Sequence, residues 1–161
     1  MARFKTNAVI FDLDGVLCDN SQQLHDYMGD HGEPVDTNEY WADWYATLPT
    51  HPPAEEYITL AQMLRDGDNE ILVVTGRRIH LKAITDRWLL DWDVEYDKLY
   101  MAPDEDGSFH TSKESHLRDI VQHYHVKLAI DDSHHWCDLY RRYDIPTLHV
   151  DRGLRTIGLM A

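Results

Sequence analysis

The stretch from Ala8 to Asp19, AVIFDLDGVLCD, constrains this chain more than any other. Ala8-Val9-Ile10-Phe11 is unbroken apolar sequence, which reads as a strand covered on both faces, because a half-exposed strand would alternate. Charge enters only where the run stops, as Asp12 and Asp14, with Gly15 to make the turn. The carboxyl ends of strands in open α/β sheets are where such folds hold ligands. Two carboxylates there repel each other and lose hydration unless a cation or a proton lies between them.

The rest of the chain repeats the theme of apolar run followed by amphipathic helix. Further strands are expected at 71–74, 98–101, 126–130 and 147–150. Helices are expected at 53–65, 79–90, 112–124 and 133–143. Within them, Tyr57, Leu60, Ala61 and Leu64 should be the inner face of the first helix, and Ile79, Ala83, Ile84, Trp88 and Leu89 that of the second. Ser112 is read as a cap that puts Lys113 in the first turn of the third. Strand–helix alternation with right-handed crossovers predicts an α/β fold, a Rossmann-like doubly wound parallel sheet. Residues 19–51 stand apart as a small helical cap insertion within a single domain spanning 1–161. It carries a helix from Ser21 to about Asp30, the breaker Gly32-Glu33-Pro34, then a second helix capped by Thr37 or Asn38. Tyr40, Trp41, Trp44, Tyr45 and Leu48 recur in it at helical spacing, a stripe that reads as packing rather than substrate stacking. The tail from Asp151 is expected to be only partly ordered.

Charge narrows the partners. Against 15 Lys and Arg stand 29 Asp and Glu, a net charge of −14, which argues against a broad basic surface for duplex nucleic acid or an anionic membrane. No apolar stretch suits a signal peptide or a membrane span. Cys18 and Cys137 lack metal-ligand spacing and fit a reduced, cytoplasmic protein. The histidine pairs, His134-His135 and His123-x-His125, lack a carboxylate or thiolate partner at ligand spacing and read as packing or solvated residues. No GxxxxGK[ST] phosphate loop occurs.

Three strand ends and one helix start carry reactive groups. They are Asp12 and Asp14, Thr75, Asp131 and Asp132, and Lys113. In a parallel sheet they share one edge. Hard carboxylate oxygens suit Mg²⁺, which binds through one or two carboxylates plus substrate phosphate. One carboxylate can attack phosphorus, another can move the proton, and a hydroxyl and an ammonium can hold phosphoryl oxygens.

FDLDG, VVTG, a lysine at a helix start and IDDS, in that order, resemble the haloacid dehalogenase superfamily over Val9 to Val150. The resemblance implies Asp12 as nucleophile and Asp14 as general acid/base, lending its backbone carbonyl to Mg²⁺. It implies Thr75 and Lys113 as phosphoryl-group holders, Asp132 as metal ligand and Asp131 in or beside the metal shell. The second aspartate is similar to the phosphatase and phosphomutase branches, and so small an insertion argues against a mutase. VVTGR at 73–77, LYMAPD at 99–104, VKLAIDDSHHWCDLYRR at 126–142 and WADWYATLPTHPP at 41–53 resemble, more closely, the 3′-phosphatase domain of bacteriophage polynucleotide kinases. That likeness implies Gly76, Arg77 and Arg78 as the substrate-binding part, with Arg77 on the phosphorylated end. Arg77, Arg78 and Lys82 would make a local positive patch. Two segments depart from the pattern: Gln22 and Gln23 stand where a basic residue is expected, and Phe109 and His110 where an acid often lies.

The expected function is therefore a Mg²⁺-dependent phosphomonoester hydrolase working through an aspartyl phosphate on a phosphorylated nucleotide or nucleic-acid 3′ end. A separate kinase is a possible working partner. Nucleoside 5′-monophosphates and sugar phosphates remain open as substrates. A receiver-type signalling domain shares the residue types but not their order: its phosphorylated aspartate ends a middle strand and its lysine follows a late one.

Overall fold

A computed structural model describes residues 5–32, 38–104 and 109–151. Thr37, the side chains of Tyr40 and Ser112, and the tail past Asp151 lie outside the described residues. Five strands make one sheet: β1 (Thr6–Phe11), β2 (Glu70–Arg78), β3 (Lys98–Ala102), β4 (Tyr124–Asp131) and β5 (Thr147–His149). Their order is β3-β2-β1-β4-β5 and every pairing is parallel. β1 is central, and its apolar run explains why: Ala8, Val9, Ile10 and Phe11 are wholly buried. Each large apolar side chain so buried contributes roughly 1.5–3 kcal/mol.

Alternation along the strands separates two cores. Val9, Phe11, Ile71 and Val73 face Ala61 of α3 (Glu55–Asp66) and Trp88 and Leu89 of α4 (Lys82–Asp91). Ala8, Ile10, Leu72 and Val74 face Leu117 and Ile120 of α5 (Phe109–His123) and Trp136, Leu139 and Tyr140 of α6 (His134–Arg142). Helices thus cover both faces, as a doubly wound sheet requires. The chain builds outward from β1 in one direction to β3, then returns to β4 on its other side. The gap between β1 and β4 is the switch point where such sheets open a cleft.

The insertion forms α1 (Ser21–His31) and α2 (Asn38–Thr47), followed by a 3-10 turn at Leu48–Thr50. Trp44 and Leu48 are buried against Leu81 and Met101, with Leu24, Tyr27, Trp41, Tyr45, Ile84 and Leu99 around them. Its core is therefore shared with α4 and β3. Its two ends meet: Asp19 N donates to Pro52 O at 2.9 Å and Ala54 N to Leu17 O at 2.8 Å.

Three elements differ from the sequence expectation. α5 begins at Phe109, which moves Lys113 from the first turn to the second. A 3-10 turn at Ile79–Leu81 precedes α4 and changes the helical phase, so Leu81 turns inward while Ile79 is 45% exposed and Ala83 is exposed. β2 runs on through Thr75-Gly76-Arg77 to Arg78, pairing with Ala102 across a register irregularity. The arginines sit in a strand because each finds a distant partner, described below.

Candidate active site

β1 and β4 bring the acids together through their register. Phe11 pairs with Ile130, and Asp12 N donates to Ile130 O at 2.9 Å, which sets Asp12 beside Asp131. Asp12, Asp131 and Asp132 each offer an oxygen within 4.8 Å of the others. Lys113 reaches in from α5, 4% exposed, with Nζ 3.0 Å from Asp12 Oδ2 and 3.0 Å from Asp131 Oδ2. Its ammonium also lies 5.2 Å from the Trp136 ring centroid, a cation–π contact. Burial alone would lower the Lys113 pKa; the two carboxylates outweigh it and hold the amine charged well above its usual range.

The two acids of the DD pair are not equivalent. Asp131 is fully buried and satisfied: Oδ1 accepts from Ser133 N at 2.9 Å, and Oδ2 accepts from Lys113 and, at 3.4 Å, from the Tyr140 hydroxyl. Asp132 Oδ1 is buried with no hydrogen-bond donor. Burial first, then the neighbouring Asp131, pushes the Asp132 carboxyl up to about 7. Burial likewise raises Asp12, with Lys113 opposing and Asp131 and Asp132 adding to it. A buried carboxylate oxygen without a donor, in a cluster of three acids, has the chemistry of a site for a hard divalent cation. Gly15 keeps this space open. Its φ is +79°, and a Cβ there would lie 2.0 Å from Asp132 Oδ2. The residues present fit Mg²⁺.

Asp14 stands apart from that cluster. Its carboxylate is gripped by Arg77, with Nε to Oδ2 at 2.8 Å and Nη2 to Oδ1 at 2.6 Å, and Asn20 Nδ2 donates to Oδ1 at 2.6 Å. Burial would raise its pKa, but the guanidinium and these hydrogen bonds hold it below the usual carboxylate value. Thr75 is buried at the end of the apolar part of β2, and its Oγ1 accepts from Arg77 N at 3.1 Å. Arg77 and Arg78 are 4% and 5% exposed, so they do not form the surface patch expected with Lys82. A buried guanidinium needs a fixed partner. Arg77 has Asp14; Arg78 Nη1 donates to Pro103 O at 3.1 Å; exposed Lys82 pairs with Asp86.

Residues 6–154 match the polynucleotide kinase PNKP phosphatase domain family. The chain belongs to that family. It is a phosphatase of the haloacid dehalogenase type. Among solved structures, two Pnkp1/Rnl/Hen1 complexes, one of them described as an RNA repair complex, contain a chain similar to this one. Identity is 23% and 22%, with TM-scores of 0.70 and 0.72 over 91% of this chain. This PNKP-type phosphatase spans 46% and 42% of the length of those chains. A haloacid dehalogenase-like hydrolase from Streptococcus pneumoniae is 15% identical, with a TM-score of 0.65 over 90% of this chain and 84% of its own. No curated protein matches the sequence. Among the described residues no helix is long and apolar enough to cross a membrane.

Two residues at the site of this PNKP-type phosphatase carried no visible signal in the sequence. Asn20 stands where a helix cap would, yet makes no cap bond with its side chain; it binds Asp14 and accepts from Gly15 N at 3.2 Å. His51, fully buried, lies between the insertion and the core. Its ring is tilted 4.5 Å from Trp44, its Nε2 is 3.0 Å from Thr47 Oγ1, and its carbonyl accepts from Trp88 Nε1 at 2.8 Å.

Proposed function

We propose that this phosphatase removes a terminal phosphate from a nucleic-acid or nucleotide 3′ end through a covalent intermediate on Asp12, with Mg²⁺ as cofactor. The observation that carries the chemistry is the convergence of Asp12, Asp131 and Asp132 at the β1/β4 switch point, with Lys113 bridging two of them. Membership of the polynucleotide kinase PNKP phosphatase domain family supports the substrate class, as does the likeness to a chain of an RNA repair complex. Free, buried Cys18 and Cys137 support a reducing, cytoplasmic setting, and in this reading a separate kinase works alongside.

In this reading an Asp12 carboxylate oxygen attacks phosphorus, and the bond from phosphorus to the leaving ribose oxygen breaks. Asp14 gives that oxygen a proton, which it must first take up against the pull of Arg77, since the guanidinium holds the resting carboxyl below its usual pKa. Asp14 then takes a proton from water, the water oxygen attacks phosphorus, and the bond to Asp12 breaks to release phosphate. Thr75 and Lys113 hold the non-bridging oxygens as their charge moves. Asp12, Asp132 and the backbone carbonyl of Asp14 would hold Mg²⁺, with Asp131 behind them; the ion neutralises the charge of the incoming phosphate. Asp131, already bonded to Lys113 and Tyr140, keeps the ammonium in place.

Asp12→Asn is expected to abolish Mg²⁺-dependent phosphate release from an aryl phosphate, and unchanged turnover would overturn the nucleophile. The substrate is tested by comparing kcat/KM for a 3′-phosphorylated oligonucleotide, nucleoside 3′- and 5′-monophosphates and sugar phosphates. Preference for the 3′-phosphorylated substrates is expected; sugar phosphates ahead by orders of magnitude would defeat the substrate assignment.

A further inference from the structure

Arg77 is placed unlike a phosphate-binding arginine. Such a residue offers its fork of N–H groups to an open cleft. Here the side chain is 3% exposed while that of Asp14 is 30% exposed, so the carboxylate is the more open member of the pair. The guanidinium meets both oxygens of Asp14 in a two-point grip, through Nε at 2.8 Å and Nη2 at 2.6 Å. Its remaining edge turns toward Thr85 Oγ1, 3.4 Å from Nη1, within the core. A phosphate would have to displace Asp14 to take that fork.

A second group holds the same carboxylate from another direction. Asn20 is buried at the root of the insertion and donates to Asp14 Oδ1 at 2.6 Å. Its own carbonyl oxygen is fixed by Gly15 N, and its backbone carbonyl accepts from Leu24 N at 2.9 Å in the first turn of α1. The Asp14 carboxylate is thus oriented by the end of β2 on one side and the start of α1 on the other. Three donors on two oxygens leave it little freedom to rotate.

We infer that Arg77 and Asn20 are positioning residues that fix the Asp14 carboxylate, and that Arg77 acts through Asp14 rather than as a phosphate ligand. This rests on the proposal that Asp14 moves the proton. It changes what the TGR segment does: Thr75 faces the phosphoryl group, and Arg77, two residues on, holds the residue that serves the leaving oxygen. It also makes the insertion part of the catalytic geometry through one side chain at its root.

A double-mutant cycle tests this. With Mg²⁺ present, kcat/KM for a nucleoside 3′-monophosphate is measured for the whole chain, for Arg77→Gln, for Asp14→Asn and for both together. Misplacing a catalytic group by about an ångström costs roughly 10²-fold, and loss of a general acid/base roughly 10² to 10⁴-fold. If Arg77 acts through Asp14, the double variant is no slower than Asp14→Asn. Two independent losses would instead multiply to roughly 10⁴-fold or more, which overturns the inference. Inhibition by inorganic phosphate provides a second readout. It should be unaltered in Arg77→Gln; a weakening of about 10-fold or more, as expected for losing a hydrogen bond to a charged group, identifies a phosphate ligand instead. Arg77→Lys keeps the charge but loses the fork, and should recover little activity. Should Arg77→Gln fail to fold, Asn20→Ala runs the same cycle from the other side of the carboxylate. A wild-type chain without phosphatase activity would defeat the underlying function. Activity that depends on Asp12, combined with multiplying losses, would defeat only the clamp.

Discussion

Gly15 shows how much of the site depends on a missing side chain. It turns the chain just after Asp14 with φ at +79°, a conformation that costs an L residue roughly 1–2 kcal/mol. The added methyl of Gly15→Ala would also meet Asp132 Oδ2 at 2.0 Å. The variant is therefore expected to lose about 1–2 kcal/mol of stability, read from denaturant unfolding, and to bind Mg²⁺ more weakly because Asp132 must rotate away. Stability lost with Mg²⁺ affinity intact would mean that Asp132 does not ligate the ion. Single residues also mark what the sequence could and could not disclose. Asp12, Thr75 and the Asp131-Asp132 pair were visible because each follows an apolar run, and Lys113 because Ser112 before it reads as a helix cap, although α5 begins earlier. Arg77 was visible as a residue but not as a partner of Asp14, because 63 positions separate the two. Asn20 was hidden by its ambiguity, since an Asn just before a helix reads as a cap.

Among the elements, legibility followed the competition between local and distant forces. β1 was clear because its burial on both faces leaves a four-residue apolar signature. β2 was read only to Val74, since Gly76, Arg77 and Arg78 look like a loop; its extension depends on Asp14 and on Pro103 O, neither of which is local. The start of α5 was read three residues late because Ser112 is a plausible cap, while the helix in fact begins at Phe109. Trp41, Trp44, Tyr45 and Leu48 of the stripe in and after α2 pack as read, though their partners Leu81 and Met101 belong to other elements. That shared core gives a prediction at this scale. Trp44→Ala removes the buried centre of the cluster, a change worth about 3–5 kcal/mol where packing is tight. The loss should fall on the insertion, raising hydrogen exchange and proteolytic cleavage within residues 21–50, with protection of β1 and β4 unchanged. A uniform loss of protection across the sheet would show that the insertion is not a separate unit of stability.

For the whole molecule, the decisive quantity is where its few positive charges lie. Among the described residues, Lys113, Arg77 and Arg78 are inside, each against a fixed acceptor, Lys82, Arg87, Arg118 and Arg141 pair with acids on their own helices, and Lys5, Lys98, Lys127 and Arg142 are exposed. With a net charge of −14 and most of these cations inside or paired, a nucleic-acid substrate is expected to meet few phosphate-neutralising contacts beyond its end. For a 3′-phosphorylated single strand, the log–log dependence of KM on salt should thus be shallow, with a slope magnitude of about 1–2 at 0.7 per contact. A slope beyond about 4 would reveal an extended basic track. Acidity also sets the pH response. Asp132 is raised from 3.8 to about 7, so between those values the folded metal-free protein holds a proton that the unfolded chain has lost, and this group adds stability as pH falls. Mg²⁺ held at Asp132 would require the ionised carboxylate and displace that proton. The rise in Tm on adding Mg²⁺ should be larger at pH 8 than at pH 5, corresponding to about 2.7 kcal/mol at a hundredfold excess over Kd. Equal shifts at both pH values would place the ion elsewhere.

The meeting of the insertion's two ends at Leu17-Asp19 and Pro52-Ala54 has a consequence for how such a protein can change. The chain enters and leaves the insertion at one junction, so segments away from the face on Leu81 and Met101 can change length cheaply: each doubling of a closed loop costs only about 0.6 kcal/mol. An insertion of different size can replace it at that junction, with the reaction centre inherited intact, when it still covers Leu81 and Met101. Asn20 is the exception, since it lies just inside the attachment yet holds Asp14. A graft that keeps residues up to Asn20 exchanges the insertion and preserves the hold on Asp14. One cut before it replaces a part of the catalyst along with the cover.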